Sequence, residues 1–278
     1  MRIVIRHISR YQYDQPVPYA VQRLRLRPQS GSGQRVVEWR VTVDGVEPAL
    51  SWTDGLGNRV DLVRHERNTR EIVIEAAGTV DTVDVAGVFG GLNELAPPWV
   101  FERETPLVKA GERVMALAAG CKVADGQLDA LHELMNAVHT QIEYKPGTTG
   151  VETDAETALS NGQGVCQDHA HVFIAVARQL RVPARYVSGY LLMEGTAQQS
   201  ASHAWAEAYV DGLGWVGFDA ANNNCPDERY VRIAAGLDYR DAMPVSGVHT
   251  GQGAETLTVE ISVQQANGSQ QSQSQSQG

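Results

Sequence analysis

Gly162-Gln163-Gly164-Val165-Cys166-Gln167-Asp168-His169-Ala170-His171 is the stretch on which the reading of this chain turns. Two glycines free the backbone for a tight entry. From there Ala170, Phe173, Val176, Ala177 and Leu180 form an apolar stripe at helical spacing. The pattern predicts a helix that begins at Cys166 and is closed by Pro183, since proline cannot continue a helix without loss of a hydrogen bond. A thiol at a helix start faces unpaired N–H groups and the positive end of the helix dipole. Both favour thiolate, the nucleophilic form. The same N–H groups, the Cys166 amide first among them, can help hold an oxyanion. A lone cysteine is otherwise a small buried hydrophobe. The glycine-rich entry separates Cys166 from Cys121 and Cys225, which carry no such signal.

A thiolate needs a base, which in a folded chain comes from a residue distant in sequence. His169 and His171 lie three and five residues past Cys166. The fifth position is well round the helix, and His169 would have to lean back past most of a turn. His7, His65, His132, His139 and His249 sit in segments without other chemical signal. His203 differs: it opens a strand pattern, Ser202–Val210, directly after the polar loop 194–200, a place at the edge of a cleft. Asp219 ends the next strand pattern. The Asp211–Gly214 turn would make the two strands antiparallel neighbours and bring His203 and Asp219 together. A carboxylate there fixes the imidazole's tautomer and supports its charged form. Cys166, His203 and Asp219 are the candidate catalytic set.

Around this centre the chain changes character. Its first eighty-odd residues read as β: Ile3, Ile5 and Ile8 among polar residues, Tyr11 and Tyr13, then runs at 36–43, 59–63 and 71–76 punctuated by Asp44-Gly45 and Asp54-Gly55. After Pro97-Pro98, helical patterns cover 108–119 and 126–142, with a short helix at 154–160. Strands return at 184–193, 202–210, 215–219 and 257–263. The last twelve residues are Gln/Ser-rich, lack apolar residues to bury and read as disordered. The expected division is 1–85, a β-rich domain; 86–250, the core; 251–266, a final strand; and 267–278, the tail.

Composition narrows the function. The 33 acidic residues exceed the 23 basic ones, giving a net charge of −10, and no Lys/Arg run suggests a nucleic acid or an anionic membrane as partner. Three cysteines without a CxxC make neither a disulfide framework nor a zinc site and fit a reducing compartment. With no signal-peptide pattern and no membrane-length apolar run, a cytoplasmic location is expected. No metal or other cofactor is expected either: Asp168, His169 and His171 pack three possible ligands into four residues, but without zinc-site spacing.

Four blocks carry a resemblance: Gly162-Gln-Gly-Val-Cys166-Gln-Asp-His-Ala-His; Val182-Pro-Ala-Arg-Tyr-Val-Ser-Gly-Tyr190; Ala201-Ser-His203-Ala-Trp-Ala-Glu; and Gly214-Trp-Val-Gly-Phe-Asp219. Together they resemble the core of the bacterial transglutaminase-like superfamily. His7-Ile-Ser-Arg-Tyr-Gln-Tyr-Asp-Gln-Pro-Val17, with Arg23-Leu-Arg-Leu-Arg-Pro28, resembles the β domain that accompanies it. The resemblance implies an α+β fold, with an antiparallel β domain before a papain-like core whose Cys-bearing helix packs on the sheet carrying His and Asp. It assigns the Cys–His–Asp set to Cys166, His203 and Asp219. It implies attack of thiolate on an amide, a thioester, and release by water or an amine, with a protein, a peptide or a small amide as substrate. Departures touch the surroundings: Asp219-Ala220-Ala221-Asn222 stands where the family often has Asp-Pro-Thr-Asn, His169 where Phe is common, and Leu237 where Arg is usual. The last removes a charge and five donors.

Supporting residues are read more loosely. Tyr144 or Gln163 could donate a second hydrogen bond to an oxyanion, Gln167 and Asp168 could meet substrate from the first helical turn, and Trp205 could flank the cleft. Each has a structural alternative in packing, a turn or dipole complementation. Two other functional classes compete: a non-catalytic scaffold that retains the core for binding, and a metal hydrolase built on Asp168, His169 and His171. Oligomeric state and acyl acceptor are not set by the sequence.

Overall fold

Buried and exposed residues alternate along Arg2–Val17, so the isoleucine and tyrosine pairs of the opening belong to one continuous strand, β1. After it come β2 (Tyr19–Leu24), β3 (Gln34–Val43), β4 (Leu50–Thr53), β5 (Arg59–His65), β6 (Thr69–Thr82) and β7 (Val88–Gly90). Two 3-10 turns, Pro98–Glu102 and Pro106–Val108, lead to α1 (Glu112–Gly120) and α2 (Gln127–Gln141). Next are β8 (Glu143–Tyr144), α3 (Ala155–Asn161), β9 (Gln163–Gly164) and α4 (Cys166–Gln179). The chain finishes with β10 (Ala184–Leu191), β11 (Gln198–Gln199), β12 (His203–Val210), β13 (Gly214–Phe218), β14 (Tyr230–Gly236), α5 (Tyr239–Ala242), β15 (Val245–Thr250) and β16 (Glu255–Gln265). This computed structural model describes residues 1–66, 68–90, 96–121, 127–251 and 253–266. The tail expected to be disordered, 267–278, lies outside the described residues.

The strands form two antiparallel layers and a separate core sheet. One layer has the order β11-β16-β1-β6-β3, the other β15-β2-β5-β4. Between them lies a cluster that includes Tyr11, Leu24, Leu26, Ile72 and Ile74. The core sheet runs β14-β10-β12-β13-β7, and α4 packs on it among the remaining helices. The expected α+β class, a β domain before a helix-on-antiparallel-sheet core, is what forms. The two parts also share apolar packing: Ile3, Ile5 and Val80 join the same cluster as Phe173 and Val176 of α4.

Several elements differ from the sequence reading. The run at 71–76 is the middle of a longer β6. The Ala-rich helix starts at Glu112, because Pro106–Val108 forms a 3-10 turn and Gly111 caps the helix. Helix α4 is buried all round rather than along a stripe, as a helix inside a large core must be. It has already ended before Pro183, with Arg181 in the left-handed region at φ 61°. The final strand lies against β1, and Val245–Thr250, assigned by sequence to the core, pairs with β2. Strand β14, buried along nearly its whole length, was not read as a strand from the sequence.

Near the end of α4, Arg178 is buried without a carboxylate in direct contact among the described residues. Its guanidinium donates to the carbonyls of Ala184 (2.8 Å), Arg103 (2.6 Å) and Leu237 (2.7 Å). Burial lowers its pKa to about 10. One cation thus ties the helix to β10 and to two loops.

Phe173 stacks on Phe218 with ring centroids 5.0 Å apart, and neither is exposed. Phe173→Ala should cost about 3–5 kcal/mol in urea denaturation, because the cavity can close only in part. Phe218 precedes Asp219, so the variant should also lose site function before it loses secondary structure, checked by comparing Cys166 alkylation with far-UV circular dichroism.

Candidate active site

The entry to α4 is built by its two glycines in different ways. Gly162 ends α3 in the left-handed region at φ 62°. Gly164 leaves room for Asp168: a Cβ there would lie 2.7 Å from that side chain's Cβ and Oδ2. Asp168 is almost fully buried and accepts from the Val165 N–H (2.7 Å) and the Thr149 hydroxyl (2.6 Å). It therefore fastens the first turn of the helix. Val165 precedes Cys166 as the N-cap and has no side-chain acceptor, so the carboxylate three residues on satisfies the helix-opening backbone.

Cys166 occupies the first position of α4, with 9% of its surface exposed. The thiol lies beside the His203 ring, close enough to raise the imidazole's pKa. His203 begins β12, which pairs antiparallel with β13, and Asp219 follows directly on β13. His203 Nε2 donates to Asp219 Oδ2 at 2.6 Å, which leaves Nδ1 for the sulfur. The structure thus brings the three residues singled out by sequence together, with His203 and Asp219 hydrogen-bonded and Cys166 beside the imidazole.

Asp219 is wholly buried. Its Oδ2 also accepts from Asn222 (2.8 Å) and the Tyr230 hydroxyl (2.8 Å), and its Oδ1 from the backbone N–H groups of Ala221 (3.0 Å) and Asn222 (3.3 Å). Burial opposes its charge, but His203 and these donors together hold its pKa below the ordinary 3.8. For His203, burial likewise opposes charge. The charge and hydrogen bond of Asp219, with the adjacent Cys166, outweigh it and raise the pKa from 6.5 to about 10. The imidazolium form is therefore favoured at neutral pH.

The other candidates separate. Tyr144 lies on β8, whose parallel pairing with β9 runs it beside the start of α4. The residue is about half exposed; burial, then the nearby charges of Cys166 and Asp219, raise its pKa, so the hydroxyl keeps its proton. Gln163 instead donates to Glu143 (3.1 Å) and Gln167 to the Val151 carbonyl (3.2 Å). The expectation that Asp168 meets substrate is corrected: it is a buried helix fastener. Trp205 does not line an open cleft either. It is 1% exposed and packs edge-on against Tyr230 at 5.5 Å, under the His203 ring. His169 is turned away from the sulfur, with its ring nitrogens 2.8 Å from the Val165 carbonyl and 3.0 Å from that of Ile142. Tyr230 and Thr149 were missed by the sequence reading; only Asn222, three residues after Asp219 in a turn, had a local signal.

The family model described as the transglutaminase-like superfamily matches residues 116–220, and that for the bacterial transglutaminase-like N-terminal region matches residues 3–81. An uncharacterized protein of Mycobacterium leprae (strain TN) is 30% identical over 283 residues, covering 95% of this chain and 98% of that protein. The chain belongs to the transglutaminase-like superfamily. An uncharacterized protein of Mycobacterium tuberculosis (strain H37Rv) is 27% identical over 290 residues, covering 94% of this chain and 91% of that one. A crystal structure from Cytophaga hutchinsonii, a candidate cysteine protease by name, superposes with a TM-score of 0.71 and 23% identity, covering 96% and 92% of the two chains. That likeness concerns the fold. The chain thus has the general architecture of the superfamily's cysteine-based enzymes.

The His203–Asp219 pair has a definite pH signature. His203 gains proton affinity on folding, so its contribution to stability is complete below about pH 6.5 and is lost as pH rises through about 10. Asp219 loses proton affinity, so its contribution is complete above about pH 3.8 and is lost as pH falls. Asp219→Asn should therefore destabilise most between about pH 4 and pH 6.5. Urea denaturation of the two proteins should show the gap narrowing toward pH 10.

Proposed function

We propose that this protein is a cysteine enzyme that takes an acyl group from an amide, a glutamine side chain or a peptide bond, through a thioester on Cys166. The observation that carries the reading is Cys166 beside the hydrogen-bonded His203–Asp219 pair, with the carboxylate buried and His203 Nε2 held at 2.6 Å. In this reading His203 takes the thiol proton and Asp219 keeps the resulting imidazolium oriented. The thiolate attacks the amide carbon, and the oxyanion forms near the Cys166 N–H, one of the helix-opening donors without an intrahelical partner. His203 then returns its proton to the leaving nitrogen as the C–N bond breaks, which leaves the thioester. Water or an amine attacks that carbon, giving up a proton to His203, and the C–S bond breaks to free Cys166. Water is the default acceptor unless the site excludes it, so we favour hydrolysis.

Tyr144 is the second oxyanion donor in this proposal. It is supported by its place beside the α4 entry, its influence from the Cys166 and Asp219 charges, and a hydroxyl that stays protonated. Gln163, engaged with Glu143, is not.

The test is incubation with glutamine-containing peptides and a labelled primary amine, read by mass spectrometry for wild type and Cys166→Ala. Deamidation or cleavage that Cys166→Ala abolishes supports the hydrolase. Amine incorporation shifts the acceptor to an amine. Absence of any Cys166-dependent product across a broad peptide panel would sink the enzyme reading in favour of a scaffold. On a substrate so found, Tyr144→Phe should lower kcat by about 10²–10³-fold with KM little changed.

A further inference from the structure

Among the described residues, strand β14 is an edge of the core sheet, paired on one side with β10. An edge leaves backbone donors and acceptors open. Here the N-terminal layers close it with two side-chain amides. Gln34, at the start of β3, accepts from the Arg232 N–H (2.8 Å) and donates to the Arg232 carbonyl (2.9 Å). Asn58, 2% exposed and next to β5, does the same at Ala235, with both bonds 2.7 Å long. Each amide replaces the pair of hydrogen bonds that a neighbouring strand would make. The Thr82 hydroxyl, at the end of β6, adds a bond to the Glu228 carbonyl just before β14.

The first residue of this clamped strand is Tyr230. Its ring is 5% exposed and packs edge-on against Trp205, and its hydroxyl donates to Asp219 Oδ2, the oxygen that also receives His203. A hydroxyl at 2.8 Å fixes where that oxygen points, and a donor on a carboxylate favours its charged form. We infer that Tyr230 is a positioning residue that holds the Asp219 carboxylate toward His203, and that the N-terminal β layers place it there by clamping β14 through Gln34 and Asn58. The N-terminal layers are then part of the catalytic apparatus rather than an attached module. The catalytic meaning rests on the reading of Cys166, His203 and Asp219 above; the positioning itself does not.

Charged and titratable groups facing Asp219 come from four elements: His203 on β12, Cys166 on α4, Tyr144 on β8 and Tyr230 on β14, with Asp227 close to Tyr230. Among these, His203 and Tyr230 favour the carboxylate's charge. Removing the Tyr230 hydroxyl should therefore move protonation of Asp219 to higher pH.

The experiment is an NMR titration of 15N-histidine-labelled protein, with the full chain as wild type, Tyr230→Phe, Gln34→Ala, Asn58→Ala and the Gln34→Ala/Asn58→Ala double variant. His203 Nε2 reports the loss of charge on Asp219 as a low-pH step. Tyr230→Phe should shift that step to higher pH while thermal denaturation shows a folded protein; the double variant should shift it in the same direction by less. A step unmoved in Tyr230→Phe overturns the positioning role, and one unmoved in the double variant overturns the clamp. If Tyr230→Phe does not fold, the double variant decides alone. Alkylation of Cys166 by iodoacetamide across pH, run in parallel, separates the two proposals. A shifted NMR step with no preferential labelling of wild-type Cys166 would leave the positioning intact and remove the catalytic reading.

Discussion

A carboxylate without access to water must find compensation inside the protein or give up its charge. Asp219 is in that position, and the organisation of the core follows from how its demand is met. Two donors come from the backbone just after it, one from Asn222, one from β12 through His203 and one from β14 through Tyr230. A hairpin, a turn and a more distant strand must all be in register for the oxygen to be satisfied. Removing any one partner leaves a buried charge short of compensation, which is more costly than the loss of an ordinary hydrogen bond.

The same logic recurs deeper in the core sheet. Glu207 on β12 has no exposure and is held charged by Arg185 on β10, at 2.6 Å, and Arg232 on β14, at 3.0 Å. The Arg185 guanidinium also lies over the Trp215 ring on β13, 3.7 Å from its centroid. This network spans β14, β10, β12 and β13, the strands that carry or border His203 and Asp219. Arg232 meets Gln34 through its backbone and Glu207 through its side chain. It joins the N-terminal layers to the ion network in a single residue.

Legibility varied with the range of the interaction. The helix starting at Cys166 and the hairpin bringing His203 to Asp219 were readable, because glycine placement, helical spacing and a turn are local. The α+β class was readable for the same reason, from period-two runs followed by period-3.6 runs. Strand β14 was not: it is fixed by its pairing with β10 and by side chains of the N-terminal layers, all distant in sequence. Nor were the roles of Asp168 and Trp205: a polar residue in a first helical turn and an aromatic on a strand look the same whether they meet substrate or pack inside. Their burial depends on elements far away in sequence, Thr149 for the first and Tyr230 for the second.

What the sequence by itself determined about this protein is the identity of the candidate nucleophile, base and acid, because their local settings are encoded within a few residues of each. Tertiary structure alone decided how the acid is held and what the N-terminal layers do. Tyr230 reaches Asp219 across a turn, and Gln34 and Asn58 reach β14 across 198 and 177 positions. Amide side chains that replace a missing strand leave no periodic mark in a sequence; their partners are backbone groups, and any residue at 232 or 235 other than proline would offer the same donor and acceptor. Only the folded arrangement of the two β layers against the core shows which backbone they meet.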